Sequence, residues 1–268
     1  MSRNSGRALA LVVWALGLAI VHVALLRRWL PELASDHGRG VDRMIHYTML
    51  TAGAMLLLGH GVLGALLWRS GGRTEPVARA LSHRSERRWS VAAAVVVALI
   101  AEGGVLALGF PVWNQYFGTT APANALVIEV TAEQFGWNVR YAGADNIFGR
   151  TEPRLITLDN PLGMDPADPR GKDDVVTLNV MHAVVGRAVK IRLRSKDVLH
   201  GFFLPNLRVK QDAVPGMTIE LWFTPVRTGR FELACTQLCG FGHYEMKGVL
   251  IVETPEEFAR WMKEQLRG

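Results

Sequence analysis

The chain has 268 residues, enough for a membrane section and one globular domain, and its 49% hydrophobic content with a mean hydropathy of +0.15 points to membrane segments. The net charge of +6 lies wholly in residues 1–113, which carry twelve Arg against six acids, while residues 114–268 carry eighteen basic and eighteen acidic groups. A charge excess confined to the apolar half is a topology signal, and it excludes a nucleic-acid-binding patch as the reason for the basic balance.

Three apolar stretches are long enough to span. They cover about 8–26, 47–68 and 89–110, each close to the roughly 20 residues that cross hydrocarbon as a helix. The first, Ala8–Leu26, is interrupted by His22; the second, Tyr47–Trp68, by Thr48, Thr51 and His60; the third, Trp89–Phe110, by Glu102. Trp29, Tyr47, Trp68, Trp89 and Trp113 sit near span ends, as interfacial aromatics do. The loop Arg69–Arg88 has six Arg against Glu75 and Glu86, which places it in the cytoplasm. The third span then runs outward, residues 114–268 lie outside, and the N-terminus with Arg3 and Arg7 lies inside. The basic start of the first segment also suits a cleaved signal peptide, but no A-x-A site follows it closely, which favours a retained helix.

After Ala123 the pattern changes to short β-rich runs. Expected strands are Leu126–Thr131, Phe135–Tyr141, Val175–Met181, Val189–Arg194, Val198–Leu204, Thr218–Phe223, Phe231–Ala234 and Val249–Val252. Many short strands imply a sandwich or barrel. Asp159–Asp174, rich in Pro, Gly and Asp, reads as a surface loop. A C-terminal helix over 255–267 begins with Thr254 as N-cap, Pro255 at N1 and Glu257 at N3, a capping box. There is no internal repeat and no Cys-x-x-Cys-His haem-attachment motif.

The only two cysteines of the chain, Cys235 and Cys239, share a twelve-residue stretch with Gln237, His243 and Met246, and His200 lies thirty-five residues before Cys235. Thiolates, imidazoles and a thioether are soft or borderline ligands that favour copper over magnesium, calcium or manganese. Two cysteines in an oxidising compartment also suit a disulfide, and Cys2His2 suits structural zinc. Structural zinc does not require Met246, and it is the joint arrangement, with His200 upstream, that favours copper over either alternative.

The spacing Cys-x3-Cys-x3-His-x2-Met with an upstream His resembles the binuclear copper site, CuA, of subunit II of the haem–copper oxidases, which include cytochrome c oxidase. The match runs from Asp197 to about Glu253, through Val209-Lys210-Gln211-Asp212-Ala213-Val214-Pro215-Gly216 and Lys247-Gly248-Val249-Leu250-Ile251-Val252-Glu253. The resemblance implies a cupredoxin fold, a Greek-key β-sandwich, for residues 114–268. It also implies that Cys235 and Cys239 bridge two copper ions, that His200 and His243 cap one each, and that Met246 and the Gln237 backbone carbonyl are the weak ligands. The family usually has two helices before this domain, so the first segment is extra.

Further expectations follow from the same resemblance. Electrons enter from cytochrome c or a similar soluble donor through an aromatic patch, here Phe135 or Trp137; these aromatics equally suit core positions of an alternating strand. Relatives usually carry Glu at the position of Gln237, with a side chain that reaches magnesium, so a magnesium contact is in doubt here. Asp197 and Asp212 suit either donor docking or turn stabilisation. Glu86 resembles an acid at the mouth of a proton channel, and Glu102 is a buried-depth acid that suits function or a hydrogen bond to His60 or a neighbouring helix. The reading is therefore an electron-input subunit of a bacterial inner-membrane terminal oxidase, multi-pass, with its copper domain on the periplasmic face. Its partners would be subunit I, which carries the haem and reduces O2 to water with coupled proton translocation, and subunit III. The rival from another class is a membrane-anchored copper-delivery or thiol-redox protein, which would show a βαβ pattern around the cysteines. A quinol oxidase subunit lacks the copper ligands, nitrous oxide reductase needs a large additional domain, and a structural membrane protein would bind no metal.

Overall fold

The computed structural model describes residues 3–26, 29–70 and 82–267. Arg73, Glu75 and Arg79 of the basic loop lie outside the described residues. Three helices come first: α1 (Arg3–Leu26), α2 (Gly38–Ser70) and α3 (His83–Trp113). All three are long and apolar enough to cross a membrane. Few of their side chains are buried within the chain, and α3 buries none. Their cohesion comes from local fits. Trp14 stacks on Trp68 with ring centroids 6.0 Å apart. Tyr47 donates its hydroxyl to the Ile100 carbonyl, over Gly104, where any Cβ would collide with the Tyr47 ring.

Residues 31–41 and 112–268 form a second compact unit. Its ten strands are β1 (Leu126–Glu133), β2 (Gly136–Tyr141), β3 (Val175–Leu178), β4 (Val180–Val184), β5 (Val189–Ser195), β6 (His200–Leu204), β7 (Val209–Ala213), β8 (Ile219–Phe223), β9 (Gly229–Cys235) and β10 (Lys247–Glu253). They make two five-stranded sheets, ordered β3-β2-β1-β5-β8 and β4-β10-β9-β6-β7. This is the expected cupredoxin-like sandwich. Its core is drawn from the inner faces of both sheets, with Ile128, Val130, Ile191, Leu193, Phe202, Leu204, Leu233 and Leu250 fully buried. Each such side chain contributes about 1.5–3 kcal/mol through burial.

The run expected as one strand over Val175–Met181 is two strands in different sheets. Asn179 takes a left-handed backbone (φ 61°) and turns the chain between β3 and β4. Its side-chain oxygen then accepts the Trp137 N–H at 2.8 Å, which anchors the crossing. Asn tolerates this conformation better than other non-glycine residues. The strand β7 was not among the expected strands.

The C-terminal helix α4 (Pro255–Gln265) has the expected capping box: Thr254 Oγ1 accepts the Glu257 N–H, and the Glu257 carboxylate accepts the Thr254 N–H at 2.9 Å. Trp261 of this helix stacks on His182 of β4 at 3.9 Å, and Glu253 pairs with the same imidazole at 2.8 Å.

The segment Pro31–Val41 straps onto the sandwich. Ala34 N–H donates to the Asn206 carbonyl, Val226 N–H to the Ala34 carbonyl (both 2.8 Å), and Ser35 Oγ to the Leu207 carbonyl (2.6 Å). His37 is buried edge-on between Trp222 and Tyr116, at centroid distances of 4.3 and 5.6 Å, and neither ring nitrogen has a hydrogen-bond partner. Burial lowers its pKa, against the opposing charge of Asp36.

Candidate metal centre

Two strand ends and one loop build the site. β9 finishes at Cys235, and β10 starts just after Met246. The Cys235 N–H donates to the Met246 carbonyl at 3.2 Å, so the intervening loop is closed at its base. Gly240 sits at φ 136°, a backbone open to glycine and strained for other residues, and lets the chain reverse directly after Cys239. A short turn of 3-10 helix over His243–Glu245 then carries the imidazole back toward the sulfurs.

The donors converge. The two Sγ atoms lie 3.8 Å apart, nearly double the length of a disulfide bond, and both thiols are free. Cys239 Sγ lies 3.6 Å from His243 Nδ1 and 3.7 Å from Met246 Sδ, and Cys235 Sγ lies 3.3 Å from the Gln237 carbonyl oxygen. One ring nitrogen of His200 and the two sulfurs all lie within 4.8 Å of one another. Cys239, Met246 and His200 are buried, and Cys235 is half-buried. All six sequence-expected ligands are thus brought to one place.

The geometry of His200 suits a metal ligand. His200 Nε2 is 2.8 Å from Asp197 Oδ1, and since a carboxylate only accepts, this nitrogen is the donor. In the neutral ring the lone pair then sits on Nδ1, which is buried without any partner. An orphaned acceptor of this kind is costly unless something fills the space before it. An imidazole with its second nitrogen oriented by a carboxylate is also how proteins usually prepare a metal ligand. Burial opposes ionisation of Asp197, but hydrogen bonds from His200 and from the Gln134 and Val198 N–H groups outweigh it and hold the carboxyl below its ordinary range. Burial, then the neighbouring Cys235, pushes the metal-free Cys239 thiol up to about 11. A metal binding here must displace that proton.

The two aromatics expected at the electron input separate. Phe135 is 39% exposed and lies over the copper-type loop, so close that a Cβ on Gly242 would come within 2.6 Å of its ring. Trp137 is fully buried, edge-on to His200 (6.3 Å) and Phe202 (5.6 Å), in a strand buried on both faces. It offers no surface to a docking protein. Asp197 and Asp212 are both engaged inside the site, the second by Lys210 and Gln237 at 3.1 and 2.9 Å.

Sequence reasoning missed two supports. Gln134 donates its N–H to Asp197 (2.7 Å) and its Nε2–H to the Cys239 carbonyl (2.6 Å). Gly201 accepts the Thr236 N–H at 3.0 Å and leaves room for Thr236 Oγ1, which a Cβ would meet at 2.3 Å. A glycine inside an otherwise apolar strand was the readable signal for this close approach. In the helices, Glu86 sits exposed in the first turn of α3, where an acid suits the helix dipole, and no ion pair joins it to Arg87 or Arg88. Glu102 is exposed on α3, and its side chain has no hydrogen bond or ion pair among the described residues, to His60 or any other.

The chain is 34% identical over 259 residues to the alternative cytochrome c oxidase subunit 2 of Bradyrhizobium diazoefficiens, covering 96% of this chain and 91% of that one. It belongs to the cytochrome c oxidase subunit II family. The family profile for the periplasmic domain of cytochrome C oxidase subunit II matches residues 126–253. A second subunit II relative, from Thermostichus vulcanus, is 27% identical over 289 residues, covering 94% of this chain and 85% of its own. Among solved structures, the periplasmic domain of subunit II from Bradyrhizobium japonicum aligns with 28% identity and a TM-score of 0.41, covering 55% of this chain and 98% of its own. Subunit II of the oxidases implies a copper centre, and the donor set here fits one: two soft thiols, a thioether and a buried imidazole nitrogen that lacks any other partner. As a subunit II, the chain is a membrane-borne component of a terminal oxidase, with three apolar helices and an external β domain.

Proposed function

We propose that this chain is the electron-input subunit of its oxidase, receiving electrons one at a time from cytochrome c or a similar soluble donor for the haem-bearing subunit I. In this reading Cys235, Cys239, His200, His243, Met246 and the Gln237 carbonyl would hold the two copper ions, the thiolates as the strong shared ligands and the thioether and carbonyl as the weak ones. A copper pair bridged by two thiolates supplies a one-electron carrier that rearranges little between redox states. The protein's own residues keep it so. Asp197 holds the His200 tautomer, Gln134 ties the loop to the Asp197 turn, and burial of Met246 and Cys239 excludes water. Phe135 is the contact offered to the donor, because it alone of the two aromatics is exposed while touching the loop.

The convergence of four further donors on two free thiols carries this reading. A thiol-redox or copper-delivery protein has no use for His243 and Met246 within 3.7 Å of one sulfur, and β9 and β10 flank the motif where such proteins carry a βαβ unit. Oxygen reduction and proton translocation belong to the assembled enzyme, at a bacterial inner membrane with the β domain outside, with subunits I and III as neighbours. Glu86 is the chain's proposed contribution to proton uptake.

The test is reduction of the copper-loaded full chain by reduced cytochrome c in stopped flow. The wild type is expected to oxidise one equivalent of donor per chain, and Cys239→Ser none. Equal rates in the two proteins contradict the assignment.

A further inference from the structure

Between the two cysteines the chain has little to lean on from outside: Leu238 is 86% exposed. The Gln237 peptide, whose carbonyl faces Cys235 Sγ at 3.3 Å, needs an anchor from within. Asp212 provides one. It lies on β7 opposite Gly201 of β6, the residue whose carbonyl already accepts the Thr236 N–H. One Asp212 oxygen accepts the Gln237 Nε2–H at 2.9 Å, and the other accepts Lys210 Nζ at 3.1 Å. The loop is therefore held twice against the β6–β7 edge, by backbone at Thr236 and by side chain at Gln237. The bond has direction: a glutamate at 237 would set two carboxylates against each other, whereas an amide donates.

We infer that Asp212 is a positioning residue for the metal centre: by anchoring the Gln237 side chain it fixes the direction of the Gln237 carbonyl toward Cys235. The inference rests on the copper reading above and is separable from it. Asp212 is about one-third exposed, so solvent screens its charge and its main contribution is geometric.

The experiment uses the full chain in detergent, loaded with copper, as wild type, Asp212→Ala, Asp212→Asn, Gln237→Ala and the Asp212→Ala/Gln237→Ala pair. Copper loss to a chelator and the EPR hyperfine pattern are recorded. Asp212→Ala is expected to speed copper loss by about 10–100-fold, the usual effect of removing a ligand's supporting partner, and to alter the hyperfine pattern. Asp212→Asn, whose carbonyl oxygen still accepts the amide proton, should restore both. The double variant should be no worse than either single one. Should Asp212→Ala misfold, Gln237→Ala keeps the test open, because it removes the same bond and leaves the backbone carbonyl. Wild-type behaviour in both alanine variants, additive losses, or an Asp212→Asn as defective as Asp212→Ala overturns the clamp while leaving the copper reading intact. A wild type that takes up no copper overturns both.

Discussion

The loop over Cys235–Met246 and the helix α3 treat their polar groups in opposite ways. The loop is held by neighbouring residues: Gln134, Gly201 and Asp212 each bond to it, and Asp197 bonds to His200 beside it. His200 Nδ1 is buried without a partner, and one nitrogen of the same ring lies within 4.8 Å of both sulfurs. In α3 no residue is buried, and Glu102 has no partner among the described residues. The first region is tied to the surrounding strands by its own hydrogen bonds. The second is a surface whose polar group makes no side-chain hydrogen bond or ion pair with the other described residues. A carboxyl at mid-span is expensive in lipid unless neutral or paired.

This contrast can be broken from the side of the loop first. Gly201→Ala forces a Cβ to within 2.3 Å of Thr236 Oγ1 and 3.1 Å of the Gln237 nitrogen. The expected cost is about 1–3 kcal/mol in thermal unfolding, with faster copper loss than wild type. Unchanged copper retention would show that the loop does not depend on its seat against β6.

A smaller effect is expected at the strap. His37 is buried without partners, and its pKa lies below the ordinary 6.5. The unfolded chain therefore binds a proton that the folded chain resists, and stability is full above about pH 7 and falls as pH drops below the unfolded value. His37→Phe should flatten this acid slope in melts recorded between about pH 7 and 5. A slope equal to wild type would assign the acid sensitivity to other groups.

The smallest effect is expected in α3. Glu102→Leu removes no contact within the described chain, so the stability of the isolated protein should change by no more than about 0.5 kcal/mol. A larger loss would reveal an intrachain partner and erase the contrast between the two regions.

These same places mark what could be read from sequence. The residues that converge at the site were legible because they form a close-spaced set of soft donors that resembles a known family motif, and the three helices and the α4 capping box because their signals are local. The split at Asn179 was hidden in a continuous β-prone run, where only a backbone in the left-handed region reveals the turn. Trp137 was ambiguous because β2 is covered on both faces, so alternation no longer separates inside from outside. The strap lay in a loop with no periodicity, and its docking depends on long-range bonds such as Ser35 to Leu207. Asp212 was visible as an acid, but its bond to Gln237 depends on the register that sets it opposite Gly201.

The most direct measurement is on the full chain, reconstituted with copper and purified in detergent: copper bound per chain, together with the EPR spectrum. The proposed function predicts two coppers per chain and the hyperfine pattern of one unpaired electron shared between them. A mononuclear copper signal, or a chain without copper that carries a Cys235–Cys239 disulfide, would contradict it.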